Sequence, residues 1–288
     1  MTNLLSPSGK NSIDPRWYQI GVLGCLLGYG LLGSHFELSG LQAAATLVSV
    51  LLLQVACSRF VGLASYELKS ALISGLSLCL LLRTHSLSLV LLASGLTIGS
   101  KFFLRFNGKH IFNPTNFGIG ITVLLTGQAW VSPGQWGSGL LIAGFVICCG
   151  LMVVQRAERS DVTLAFLLAY PGLFFARAIW LGDPLTIPIH QLGNGALLIF
   201  TFFMISDPKT TPNSRLGRIV FALLVACLAY VLRFKFYNPN ALIYALLMGS
   251  IFVPVFDYFW VGPRFGWTGR RKNPQNKPLL GIPIHSNN

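Results

Sequence analysis

Charge is what this chain has least of. Charged residues make up 10 % of its 288 positions, and only eight are acidic. A soluble domain carries roughly 25 %, so the composition excludes one. Metal and redox signatures are missing as well. The six cysteines (Cys25, Cys57, Cys79, Cys148, Cys149 and Cys227) fall in or beside apolar stretches, with no Cys-x-x-Cys and no Cys–His spacing for zinc. Such cysteines read as small buried hydrophobes. An iron–sulfur cluster needs converging thiolates and finds no support in their spacing. The five histidines lie at the ends of apolar stretches or in the C-terminal tail, which argues against a haem bundle. There is no P-loop, nucleophile elbow or His-Glu-x-x-His. No nucleic-acid module accompanies the net charge of +13, so no nucleic-acid partner is expected.

Apolar residues fill the space. They reach 53 %, with a mean hydropathy of +0.65, the signature of an integral membrane protein. Ten spans are read at about 17–33, 41–57, 70–82, 87–103, 114–126, 137–155, 162–180, 192–205, 217–232 and 241–261. The third and fifth fall short of the roughly 20 residues a full crossing takes. Ten crossings put both termini on one side. Seventeen of the 21 lysines and arginines then share that side, and four lie opposite. Positive charge accumulates on the cytoplasmic face, so both termini are expected there, in a plasma (inner) membrane of bacterial type. Residues 1–15 are polar and lack the apolar core of a cleavable signal peptide. Residues 262–288 form a basic tail rich in Gly, Pro and Asn, suited to contact with anionic membrane lipid.

A repeat divides the chain. Residues 104–116 read LRFNGKHIFNPTN and residues 232–240 read LRFKFYNPN. With three residues dropped from the first copy, Leu104-Arg105-Phe106 aligns with Leu232-Arg233-Phe234, and Phe112-Asn113-Pro114 with Tyr237-Asn238-Pro239. The copies start spans from opposite faces. The expected fold is therefore all-α, with two inverted five-helix repeats over 16–135 and 136–261. Asn followed by Pro is a helix-start pair, with Asn as cap and Pro in the first turn. Two such starts pointing inward offer free N–H groups to an anion or a polar ligand. Asn113, Thr115, Asn116, Asn238 and Asn240 are the candidate binding residues, with Lys109 beside the first start. Asp207 ends a span in FFMISDPKTTP, either as a cap or as a group that takes part in cation or cofactor binding.

These segments carry a resemblance. FNPTNFG, then a span ending FMISDPKTTP, then YNPNALIYALLMGSIFVPVFD is similar to the B subunit of the sodium-pumping NADH:quinone oxidoreductase and the D subunit of the Rnf electron-transport complex. The likeness runs over about 71–258. It implies ten helices in two inverted repeats and electron passage across the membrane through flavins. In that family a flavin mononucleotide is esterified to the Thr of a Ser-Gly-Ala-Thr-Pro-Leu stretch. Residues 181–186 here read LGDPLT. Gly182 and Pro184 match, but Asp183 stands where the hydroxyl donor belongs, and a carboxylate cannot form that phosphodiester. The resemblance thus implies flavin (FMN or riboflavin) bound without a covalent link, or shared with a partner such as another redox subunit or an iron–sulfur protein. A second reading, from the inverted repeats themselves, is a transporter or channel for a small solute or for flavin.

Overall fold

The computed structural model describes residues 14–32, 37–63, 65–132 and 140–266. The boundary expected between repeats at 135/136, the N-terminal residues 1–13 and the tail beyond 266 lie outside the described residues. The first half holds α1 (Pro15–Leu32), α2 (Gly40–Phe60), α3 (Leu68–Leu81), α4 (Leu87–Phe103) and α5 (Pro114–Thr126). The second holds α6 (Leu140–Arg156), α7 (Ser160–Leu181), α8 (Thr186–Leu192), α9 (Gly195–Ile199), a π-turn over Phe200–Met204, α10 (Arg215–Phe234), α11 (Ala241–Ile251) and α12 (Val253–Phe259).

Local chemistry sets the ends. Ser39 and Gln42 form a reciprocal capping box at the start of α2. Asn194 caps α9 by accepting from Ala196 N and Leu197 N. Gly127 and Gly182 close α5 and α7 in the left-handed conformation that a residue without a Cβ adopts freely. Between α4 and α5 the chain makes a hairpin, β2 (Arg105–Phe106) against β3 (Lys109–His110). Its turn residues Asn107 and Gly108 have φ of 51° and 76°, the Asn-Gly turn that matches strand twist. On the far side, β1 (Leu82–Thr84) pairs antiparallel with β4 (Ala129–Val131).

α2, α7 and α10 are each long and apolar enough to cross a membrane. Two bent pairs bring that number to five if each pair is one span: α8 with α9 and its π-turn at 62°, and α11 with α12 at 43°. α3, α4, α5 and residues 142–156 are shorter apolar helices. The protein is thus a mostly helical, multi-pass membrane protein. α2 packs on α4 and α4 on α5; α7 packs on α10 and α10 on α11. α1 contacts α6, and α5 contacts α11, joining the halves. The core contains Phe166, Phe200, Phe202 and Phe221, all nearly sealed from solvent.

Candidate functional site

The start of α5 builds the site. Asn113 is its cap, and its Oδ1 accepts from Asn116 N at 3.1 Å. Pro114 fills the first turn, where no N–H is needed. That leaves the Asn113 Nδ2 free to reach across. It donates to Met204 O at 3.3 Å and to Asp207 Oδ2 at 3.4 Å. The π-turn supplies that Met204 carbonyl. Thr115 Oγ1 donates to Ser74 O at 3.4 Å, and Lys101 Nζ to Ser70 O at 3.0 Å. These groups line a cavity of about 60 Å³ with Ser70, Ser74, Ser77, Lys101, Asn113, Thr115, Asp207 and Phe203 among its walls. Burial raises the Asp207 carboxyl above its usual range, against the lowering pull of Lys209 N, Lys209, Lys101 and Arg159.

Asn116 is fully buried one turn in, and its Nδ2 donates to Ile243 O at 3.0 Å. This bond ties the first turn of α5 to the first turn of α11. Its Oδ1 has no partner among the described residues. His110 lies on the wall of the cavity. Burial pushes its imidazole down to about 3, helped by Arg105, Lys209 and Lys101, and its Nδ1 has no hydrogen-bond partner among the described residues.

The structure gathers some of the expected residues and separates others. Asn113, Thr115 and Asp207 meet at the cavity, with Asn116 directly behind. Lys109 belongs to a neighbouring node: its Nζ donates to Thr211 O at 2.5 Å, Asp257 Oδ2 at 2.7 Å and Asn213 Oδ1 at 3.3 Å. Asn238 and Asn240 are not among the cavity's walls. Asn238 Oδ1 accepts from Asn240 N at 2.8 Å, a local turn, and Asn240 precedes α11 without a side-chain cap bond. The two Asn-Pro pairs therefore do different local work. Gly182 closes α7, Asp183 lies 3.7 Å from Arg177 Nη1, and Thr186 opens α8 at the surface.

Sequence reasoning missed Arg159 and Asp257. Arg159 is buried and donates to Thr211 Oγ1 at 3.0 Å and to Pro208 O at 3.2 Å, fixing the loop that holds Asp207. Asp257 anchors Lys109 and accepts from Asn213 N at 2.7 Å. Their signal was scarcity: with eight acids in the chain, any acid at a span end is a candidate partner for a basic residue.

The cavity's size decides what it can hold. Cofactor sites run to roughly 300–1,000 Å³, and about 60 Å³ suits a water molecule or a small ion. The cavity beside Asn113 is thus smaller than the usual volume of an enclosed cofactor site.

Comparison with known proteins bears on part of this site. The model of the NQR2, RnfD, RnfE family matches residues 114–266, more than half of the chain. The D subunit of the ion-translocating oxidoreductase complex from Psychromonas ingrahamii is 30 % identical over 124 residues, covering 43 % of this chain and 34 % of the relative. The protein of the same name from Erwinia tasmaniensis is 28 % identical over 148 residues, covering 51 % and 38 %. The one from Escherichia coli O1:K1 / APEC is 30 % identical over 136 residues, covering 47 % and 36 %. The matched part thus spans about a third of the length of these curated relatives. The matched residues include the α5 start, the Asp207 loop and the α11 start, and the chain belongs to the NQR2, RnfD, RnfE family.

Proposed function

We propose that this chain is the membrane-embedded subunit of an ion-translocating oxidoreductase complex in a bacterial inner membrane. In this reading it takes part in electron relay with other redox subunits. Flavin (FMN or riboflavin) is met at a contact with a partner and is neither enclosed nor esterified by this chain. Family membership carries the reading.

The proposed architecture is ten crossings in two inverted five-helix repeats. Two observations support it. Taken in order, the α2–α4–α5 packing chain of the first half recurs as α7–α10–α11 in the second. Polar side chains also join alternate connections. On one face Arg16 meets Glu67, Lys109 meets Asp257, and Arg218 meets Asp161. On the other, Gln42 donates to Thr84 O, and Thr84 to Gln128 O.

The second reading, movement of a small ion or solute, draws on the water-sized cavity between Lys101 and Asp207. Purification with its native partners separates the readings. Flavin absorbance that co-purifies with the complex and is lost on denaturation supports the redox subunit. A colourless preparation that catalyses uptake into vesicles supports transport. Fluorescence that stays on this chain in a denaturing gel, and disappears in Thr186→Ala, would show covalent flavin and overturn the non-covalent assignment.

A further inference from the structure

Two cavities adjoin at the basic face, and the function proposed above uses neither. One is a groove of about 500 Å³ whose walls are mostly apolar: Phe106, Ile111, Val253, Val255, Tyr258 and Val261. Its polar groups gather around Lys109, Asp257, Asn213 and Arg264. The second, of about 390 Å³, is walled by Arg159, Arg215, Arg218 and Arg264 against the single acid Glu158. Asn213, Val261, Gly262 and Arg264 line both, so the two spaces lie side by side.

The charges in the polar cavity are not all spent. Arg218 is paired with Asp161 at 2.5 Å, and Arg159 is tied to Thr211 and Pro208. Arg215 is exposed, and its guanidinium makes no hydrogen bond among the described residues. Arg264 commits its Nη1 to Asn107 O at 2.9 Å. Two guanidinium groups thus border a polar pocket that lies beside an apolar trough. Tyr258, Phe259 and Val261 beside it are 79 %, 69 % and 71 % exposed, as residues turned toward acyl chains would be.

We infer that the paired cavities form a binding site for an anionic phospholipid, with the phosphate headgroup between Arg215 and Arg264 and an acyl chain along Val253, Val255, Tyr258 and Val261. Guanidinium forks are well matched to phosphate oxygens. The separation of polar and apolar walls fits a molecule polar at one end only. The face is also the one that carries the excess of basic residues, where anionic lipid is attracted.

Native mass spectrometry of the purified full chain tests this, with phosphatidylglycerol and phosphatidylcholine of equal chain length offered in competition. Phosphatidylglycerol should be retained in preference. Arg215→Gln and Arg264→Gln should each weaken that retention roughly fivefold, the worth of one basic residue near an anionic surface. Arg233→Gln, outside these walls, should leave it unchanged. Thermal unfolding gives a second readout, because a ligand held by the native state raises its stability. Wild type should be stabilised by added phosphatidylglycerol and not by phosphatidylcholine, and the double Arg variant by neither. Equal retention of the two lipids, or unaltered preference in the double variant, would overturn the site. Displacement of the lipid by millimolar inorganic phosphate, or by riboflavin, would instead reassign it to a free anion or to a flavin.

Discussion

His110 carries the pH dependence at the scale of single residues. Its folded value of about 3 lies below the ordinary 6.5 because of burial first, then Arg105, Lys209 and Lys101. Between these values the unfolded chain holds a proton that the folded chain refuses. The contribution is therefore fully present above pH 6.5 and is lost as pH falls toward 3, at up to about 1.4 kcal/mol per pH unit. Thermal midpoints in detergent should drop from pH 7 to pH 4 in wild type and drop less in His110→Gln. Equal slopes would show that the imidazole is not held neutral. The imidazole's surroundings were only partly legible in the sequence. Lys101 and Arg105 are near in sequence, but Lys209 comes from a loop about a hundred residues away. A still larger separation, 148 residues, hid Lys109–Asp257. Asn113 was readable as a cap because Asn-Pro specifies a start locally, whereas Asn238-Pro239 has the same letters and a helix that begins later, at Ala241.

At the scale of elements, packing at Gly118 fixes how closely α5 approaches α4. A Cβ there would meet Thr97 Oγ1 at 1.9 Å and Ala93 O at 2.8 Å. One contact is backbone, so the helices would have to part. Gly118→Ala should destabilise the protein by about 1–3 kcal/mol, the usual range for overpacking. Gly99→Ala, whose Cβ would meet only Phe103 Cδ2 at 3.8 Å, should be neutral or mildly stabilising because alanine favours helix. Denaturation in mixed micelles compares the two, and a harmless Gly118→Ala would mean that the close approach is not maintained. Helix limits at α4 and α5 were legible, since apolar runs end at clear polar turns. The break between α8 and α9 was not, although Gly193-Asn194-Gly195 marks it. The β1–β4 ladder was hidden too, because residues 82–84 look like a span's last turn and their partners lie more than 40 residues on.

At the scale of the molecule, the distribution of basic residues was the most legible feature, because it is a sum over the chain and does not depend on any one contact. Ten crossings put Asn107 and the C-terminus on the cytoplasmic face and Tyr237, 84 % exposed, on the opposite one. Single cysteines at 107 and 237 in a cysteine-free variant should react with an impermeant maleimide from opposite sides of intact cells. Labelling of both from the same side would remove the ten-crossing arrangement.

In the proposed arrangement the shortness of α5 and α11 would have an electrical consequence. α5 and α11 have 13 and 11 residues, about 20 and 17 Å of helix. α7 and α10 have 22 and 20 residues, enough for a bilayer core of about 30 Å. In the ten-crossing arrangement proposed above, α5 would be too short to span that core, and the membrane voltage would fall most steeply along it. A full elementary charge crossing that drop exchanges about 2.3 kcal/mol per 100 mV with the membrane. Nearly all of it would be exchanged within a few turns of helix beside Asn116. Electrochromic dyes attached to single cysteines along α5 of a cysteine-free variant would register this focusing, and a voltage response no larger at residue 116 than at the ends of α10 would place the drop elsewhere.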